Sequence, residues 1–189
     1  IGTADSNAAT LTETNAGLAT SGTLSIADPD LNTASLTPNL LSVSTSGNTN
    51  GLLSTNAQLL AMLQFSAGAL TNGQGALSWT FDSGSEAFNY LAAGESLTLT
   101  YSFTVSDTNG GVSSPQVITI TVNGSNDGPQ LTAAQAVLPN TPEDVPISLT
   151  SAQLLTGFSD LDRSDSLRIT NLSATNGTLL QNADGSWSY

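Results

Sequence analysis

Apolar and polar residues alternate over several stretches of this chain. Leu97 to Val105 reads LTLTYSFTV, with Leu97, Leu99, Tyr101, Phe103 and Val105 separated by Thr and Ser. Val117 to Val122, VITITV, has the same period of two. Successive strand side chains point to opposite faces, so this pattern belongs to strands with one face on a core and one in water. Between the two runs lies DTNGG, Asp107 to Gly111, where Asn109-Gly110 supplies the positive φ values of a tight turn. The spacing predicts a long β-hairpin from Leu97 to Val122. Gly22 to Ala27, GTLSIA, predicts a strand with Leu24 and Ile26 on one face. Ala76 to Phe81, ALSWTF, predicts another that buries Leu77 and Trp79 on opposite faces.

Helical signals are short. Ser54 or Thr55 can cap a turn or two over Asn56 to Leu63, and Ser151 to Leu155 predicts a single turn. Ser85 to Leu91 is expected to wrap one end of the fold and drop Phe88 or Leu91 into it. The expected class is therefore all-β: antiparallel β-sandwich repeats in tandem, with short helical turns.

The tandem reading comes from a weak internal repeat. IADPD at Ile26 to Asp30 is echoed by FSDLD at Phe158 to Asp162, and SWTF at Ser78 to Phe81 by SWSY at Ser186 to Tyr189. The stretch between the two marks is longer in the first copy, and the candidate helix at Asn56 falls in it. AQLL also occurs twice, at Ala57 and at Ala152, on opposite sides of the acid pair, and reads as two similar helical turns. Repeats at this scale point to an array of domains. The expected division is a complete sandwich over residues 1–126 and the front half of a following repeat over 127–189. The boundary is NGSNDGP, Asn123 to Pro129, a polar stretch with Gly and Pro. The second copy has no counterpart of the closing hairpin, so Leu167, Ile169, Leu179 and Trp187 are expected to stay exposed.

Charge narrows the chemistry. Only 9% of residues are charged; fifteen are Asp or Glu, two are Arg, and there is no Lys, His or Cys, giving a formal net charge of −13. Two cations cannot neutralise many phosphates, so nucleic acid is a poor partner. Zinc, haem and iron–sulfur sites and His- or Cys-based catalytic groups lack their residues. No run reaches the length of a membrane span.

What remains is a hard cation. The acids gather at strand ends and at the boundary: Asp28 and Asp30; Asp107; Asp127 beside Asn126; Glu143 and Asp144; Asp160, Asp162 and Asp165. If the first strand and the strand at Val117 run the same way, Asp28, Asp30 and the hairpin tip at Asp107 converge at one end, near Asp5. By the repeat, Asp160 and Asp162 converge on Asn126 and Asp127. Such clusters are costly without a cation, and Ca²⁺ takes six to eight oxygens from carboxylates, carbonyls and water. Asp and Asn also punctuate turns, which is the competing reading of Asp107. DLDRSD at Asp160 lacks the Gly and Glu of an EF-hand loop. Trp79 and Trp187 are expected in the core rather than stacked on a sugar. No glycoside-hydrolysing carboxylate pair, nucleophile elbow or phosphate loop stands out.

VITITVNGSNDGP, with LAAGESLTLTYSFTVSDTNGG before it, resembles the VCBS-type repeat of large bacterial surface proteins. PEDVPISLTSAQLLTGFSDLDRSDSLRITNLSATNGTLLQNADGSWSY is similar to the cadherin-like repeat of the same RTX-type adhesins. The resemblance implies an immunoglobulin- or cadherin-like sandwich, strung in tandem with neighbouring repeats of the same chain and rigidified by Ca²⁺ at the linker. It also implies export by type I secretion and a role in adhesion or biofilm at the bacterial surface, without enzyme activity. On that pattern Asn126, Asp127, Asp160 and Asp162 match calcium positions, and Glu13 and Glu143 match an early acidic residue. The alternative is a carbohydrate- or protein-binding module, with Leu40 to Gly75 shaping a pocket, or an accessory domain of a secreted hydrolase.

Overall fold

In a computed structural model, which describes residues 5–29, 35–68 and 70–189, the period-two runs become strands and the chain divides into two units, Ile1–Asn126 and Asp127–Tyr189. The first unit runs β1 (Ala8–Thr12), β2 (Ala19–Ala27), β3 (Thr37–Gly47), α1 (Asn56–Ala61), β4 (Leu63–Ala67), β5 (Gln74–Asp82), β6 (Ser96–Ser106) and β7 (Gln116–Asn123). One sheet has the order β1-β7-β6-β3 and the other β2-β5-β4. Their inner faces meet in a single core, as in a β-sandwich.

That core is the apolar half of the alternation. Leu97, Leu99, Tyr101 and Phe103 of β6 and Ile118, Ile120 and Val122 of β7 are buried against Leu77, Trp79 and Phe81 of β5. Leu77 and Trp79 share one face, contrary to the opposite faces expected above, because residues two apart in a strand point the same way. Phe65 and Phe103 pack with ring centroids 4.8 Å apart, and Phe81 meets Tyr101 edge-on at 6.5 Å. The Trp79 ring covers Gly22, its cross-strand partner, where an added Cβ would stand 2.5 Å from the indole. Its Nε1–H donates to the Ser6 carbonyl at 2.7 Å.

The helix is placed by local and tertiary signals together. Thr55 caps it in a reciprocal capping box with Gln58. The helix stops at Ala61 rather than Leu63, because Leu63 opens β4 and pairs with Phe81. The buried Tyr101 hydroxyl donates to the Leu59 carbonyl at 2.9 Å, and burial pushes its pKa up. The hairpin forms with a wider loop than expected: Phe103 pairs with Gln116, and only Gly110 of the Asn109-Gly110 pair has a positive φ.

One pairing departs from the antiparallel plan. β1 lies parallel to β7, from Ala8↔Thr119 to Thr12↔Asn123. β1 and β7 therefore run the same way and β6 the other way, so the chain enters the unit at one end and leaves it at the opposite end.

The second unit runs β8 (Gln130–Leu131), β9 (Ser148–Leu149), α2 (Ser151–Leu154), β10 (Phe158–Ser159), β11 (Leu180–Gln181) and β12 (Trp187–Ser188). β10 pairs with β8, and β11-β12-β9 form a small sheet. Trp187 is buried beside its partner Leu149, against the exposure expected for it, while Leu167, Ile169 and Leu179 are half-buried. α2 repeats the capping box of α1, with Thr150 and Gln153. In both units a capped helix follows one strand (β3, β9) and precedes another (β4, β10), with the tryptophan strand further on. The order of elements thus puts the two AQLL turns in corresponding places, not the two acid pairs.

Between β5 and β6, residues 85–91 close one end of the sandwich, and both Phe88 and Leu91 are fully buried. Phe88 does so at φ 62°, where a side chain costs roughly 1–2 kcal/mol. Truncating a buried Phe costs about 3–5 kcal/mol, so packing outweighs the backbone strain. Phe88→Ala is therefore expected to destabilise the first unit by about 3 kcal/mol. Phe88→Gly is expected to cost no more than Phe88→Ala, because glycine relieves the strain. Denaturant melts of the two variants check this; a glycine variant about 1 kcal/mol worse than alanine, the ordinary order, would show that the backbone there is unstrained.

Candidate functional site

Strand direction assembles an acidic corner in the second unit. β8 and β10 are antiparallel, with Gln130 opposite Ser159. Asp127, just before β8, and Asp160 and Asp162, just after β10, must therefore lie at the same end. The Asp127 amide donates to Asp162 Oδ2 at 2.9 Å, and the Asp162 amide to Asp160 Oδ1 at 3.1 Å. Asp162 is 2% exposed and Asp127 8%. Asp162 Oδ1 is buried and has no hydrogen-bond partner.

The electrostatics of Asp162 follow. Burial pushes its carboxyl up from the ordinary value; the Asp127 amide opposes this, and the charges of Asp127, Asp165 and Asp160 add to the rise. Asp165, in the same run DLDRSD, joins the corner through its backbone: its amide donates to the Asp162 carbonyl at 3.1 Å.

Among the described residues, no three acidic side chains stand close enough to hold one metal ion by themselves. A Ca²⁺ site need not be all carboxylate, since backbone carbonyls and water complete the shell. The buried Asp162 oxygen without a hydrogen-bond partner fits a hard cation, and the nearby charges of Asp127 and Asp160 add to the attraction.

The other candidates separate. Glu13, only 2% exposed, accepts from the Ser125 amide at 3.1 Å and the Asn15 amide at 3.2 Å, one on each oxygen. It stands there because β1 and β7 are parallel and end side by side. Asn126 is exposed. Asp28 and Asp107 do converge, on a cavity of about 210 Å³. There Asp107 Oδ1 accepts from the Asn109 and Gly111 amides at 2.7 and 2.9 Å, closing its own turn. Asp5 accepts instead from the amide and hydroxyl of Ser25. Asp30 lies outside the described residues. Glu143 and Asp144 are exposed on a different, open groove with Tyr189, so Glu143 and Glu13, matched by the resemblance, occupy unlike environments. Trp79 and Trp187 are both buried.

Residues 125–189 match the family model of the cadherin-like domain. No curated protein sequence matches the chain. Among solved structures the chain is similar to the CooA pilin subunit from enterotoxigenic Escherichia coli, at 16% identity and a TM-score of 0.31, covering 63% of this chain and 90% of that one. Among the described residues no helix is long and apolar enough to cross a membrane.

The raised Asp162 carboxyl has a pH signature. The folded state holds that proton more tightly than the unfolded chain, so its contribution is present at acid pH and is lost as pH rises through the folded value. Asp184 has the opposite sign: the Ser186 hydroxyl and amide hold its carboxyl down, so its contribution is present at neutral pH and lost as pH falls. Comparing native chain with Asp162→Asn cancels the Asp184 effect. With metal chelated, the Asn variant is expected to melt higher than the native chain at pH 7, and the gap to close towards pH 4. A gap that widens on acidification would contradict a raised Asp162 pKa.

Proposed function

We propose that the chain is a calcium-binding structural module, an extender, of a large secreted or cell-surface bacterial adhesin, with residues 1–126 a VCBS-like repeat and 127–189 part of a cadherin-like one. The observation that carries calcium is the Asp162 carboxylate: buried, with one oxygen on the Asp127 amide and the other without a hydrogen-bond partner. Burying a charge without compensation costs several kcal/mol, and a cation removes that cost. Ca²⁺ would be held by the Asp162 carboxylate, with backbone carbonyls and water completing its shell and the charges of Asp127 and Asp160 adding to the attraction, and would fasten the start of the second unit. The match of residues 125–189 to the cadherin-like domain supports a structural rather than a catalytic role. The burial of both tryptophans favours this over a sugar-binding module, because neither indole is free to stack. On this reading the low free Ca²⁺ of a cytosol leaves the module loose for type I export, and the exterior stiffens it.

The test is a melt of the native chain and of Asp162→Asn with millimolar Ca²⁺ and with chelator. A ligand at a hundredfold excess over Kd adds about 2.7 kcal/mol. In a domain of this size that raises Tm by roughly 10–20 °C at about 4–8 °C per kcal/mol. A rise in the native chain that is lost in Asp162→Asn is the expected result. No response in the native chain would end the calcium reading, and an equal response in the variant would move the ion away from Asp162.

A further inference from the structure

We propose that the parallel β1–β7 pair is a shear clamp that makes the first unit resist tension along the chain. The chain enters at Asp5, at the end where β1 begins, and leaves past Asn123, at the end where β7 finishes. A pull on these two points draws β1 and β7 in opposite directions along their common axis. All five register pairs, from Ala8↔Thr119 to Thr12↔Asn123, are then loaded together rather than in turn. The ladder extends at both ends: the Thr119 amide donates to the Asn7 carbonyl at 3.0 Å, and the Glu13 amide to the Asn123 carbonyl at 3.0 Å. Glu13 adds a side-chain tie beyond the last rung, accepting the Ser125 amide at 3.1 Å. Ala9 and Leu11 pack on the core, so sliding also has to withdraw apolar side chains.

The contacts ahead of the clamp are of another kind. Ser6 donates to the Thr23 carbonyl, Asp5 accepts from Ser25, and the Ser6 carbonyl accepts from Trp79. A pull at Asp5 takes these one after another, which leaves β1–β7 as the element that sets the rupture force. The proposal rests on the spacer reading only for the origin of the tension; the clamp itself uses no metal.

The test is single-molecule pulling of the full chain in chelator, with two cysteine handles introduced into a sequence that has none. Asp5→Cys with Gly128→Cys loads the pair in shear and keeps all of the second unit beyond its first two residues outside the path; the Gly128 site has open space for a side chain. Asp5→Cys with Ser114→Cys, an exposed residue just before β7, pulls both strands from the same end and peels them rung by rung. The shear pair is expected to rupture at about twofold higher force or more, because its hydrogen bonds share the load. Equal forces, or a lower force in shear, would overturn the clamp. A second comparison uses the strand alternation: the outer rungs place the Ala9 amide towards β7 and the Thr10 amide away from it. In folded variants, Ala9→Pro is expected to lower the shear force towards the peeling value and Thr10→Pro to leave it higher; the reverse order would also overturn the proposal. Because chelator is present throughout, failure of the calcium reading appears in the melts and not in these forces.

Discussion

With fifteen acidic side chains and two arginines, this chain has few cationic side chains to pair with a buried carboxylate, so backbone amides, hydroxyls, a proton or a metal ion must stand in for them. Two of its most buried carboxylates meet that constraint differently. Glu13 places one oxygen on the Ser125 amide and the other on the Asn15 amide, so its charge is taken up by the fold. Asp162 has the Asp127 amide on one oxygen and no hydrogen-bond partner on the other, among three further carboxylates. An unsatisfied buried polar group costs about 1–3 kcal/mol, and more when charged, so the second arrangement favours a proton or a cation. At neutral pH and outside a cell, calcium is the proposed occupant.

Strand direction explains why both acids lie where the chain passes. In the first unit the parallel β1–β7 pair ends at Thr12 and Asn123, so the residue after β1 meets the residues after β7. In the second, the antiparallel β8–β10 pair brings the residues before β8 to those after β10. Glu13 therefore fastens Ser125, and Asp162 fastens Asp127, each within its own unit. The same parallel pairing separates the points where chain enters and leaves the first unit. For a spacer this is the useful arrangement, because tension then runs along strands.

Much of this was legible in the sequence. The period-two runs gave the hairpin and its buried face, and the direction of the strands brought Asp28 to Asp107 and Asp127 to Asp162. What was not legible depended on pairing and packing. Nothing in AATLT announces a parallel partner, since local alternation is the same for either sense of pairing. The fate of Glu13 followed from that hidden pairing, and its carboxylate went to amides. Asp107 spends an oxygen on its own turn, a local competition that Asp-x-Asn-Gly sequences permit and that charge counting overlooks. The AQLL turns, read from sequence only as two similar helical turns, are both helical and also share a capping box and a place in the order of elements. The acid pairs looked more like a repeat because short charged motifs are conspicuous, whereas a cap is recognised by its bonds. Trp187 is buried although few strands surround it, because Leu149 of β9 lies opposite.

The central claim is that the Glu13 carboxylate is complete without metal and the Asp162 carboxylate is completed by Ca²⁺. Amide hydrogen exchange at Ser125 and Asp127, read residue by residue with millimolar Ca²⁺ and with chelator, addresses both at once. The account predicts a Ser125 amide protected to the same degree in either condition, and an Asp127 amide that gains protection when Ca²⁺ is added. An Asp127 amide indifferent to Ca²⁺, or a Ser125 amide that depends on it, would contradict the account.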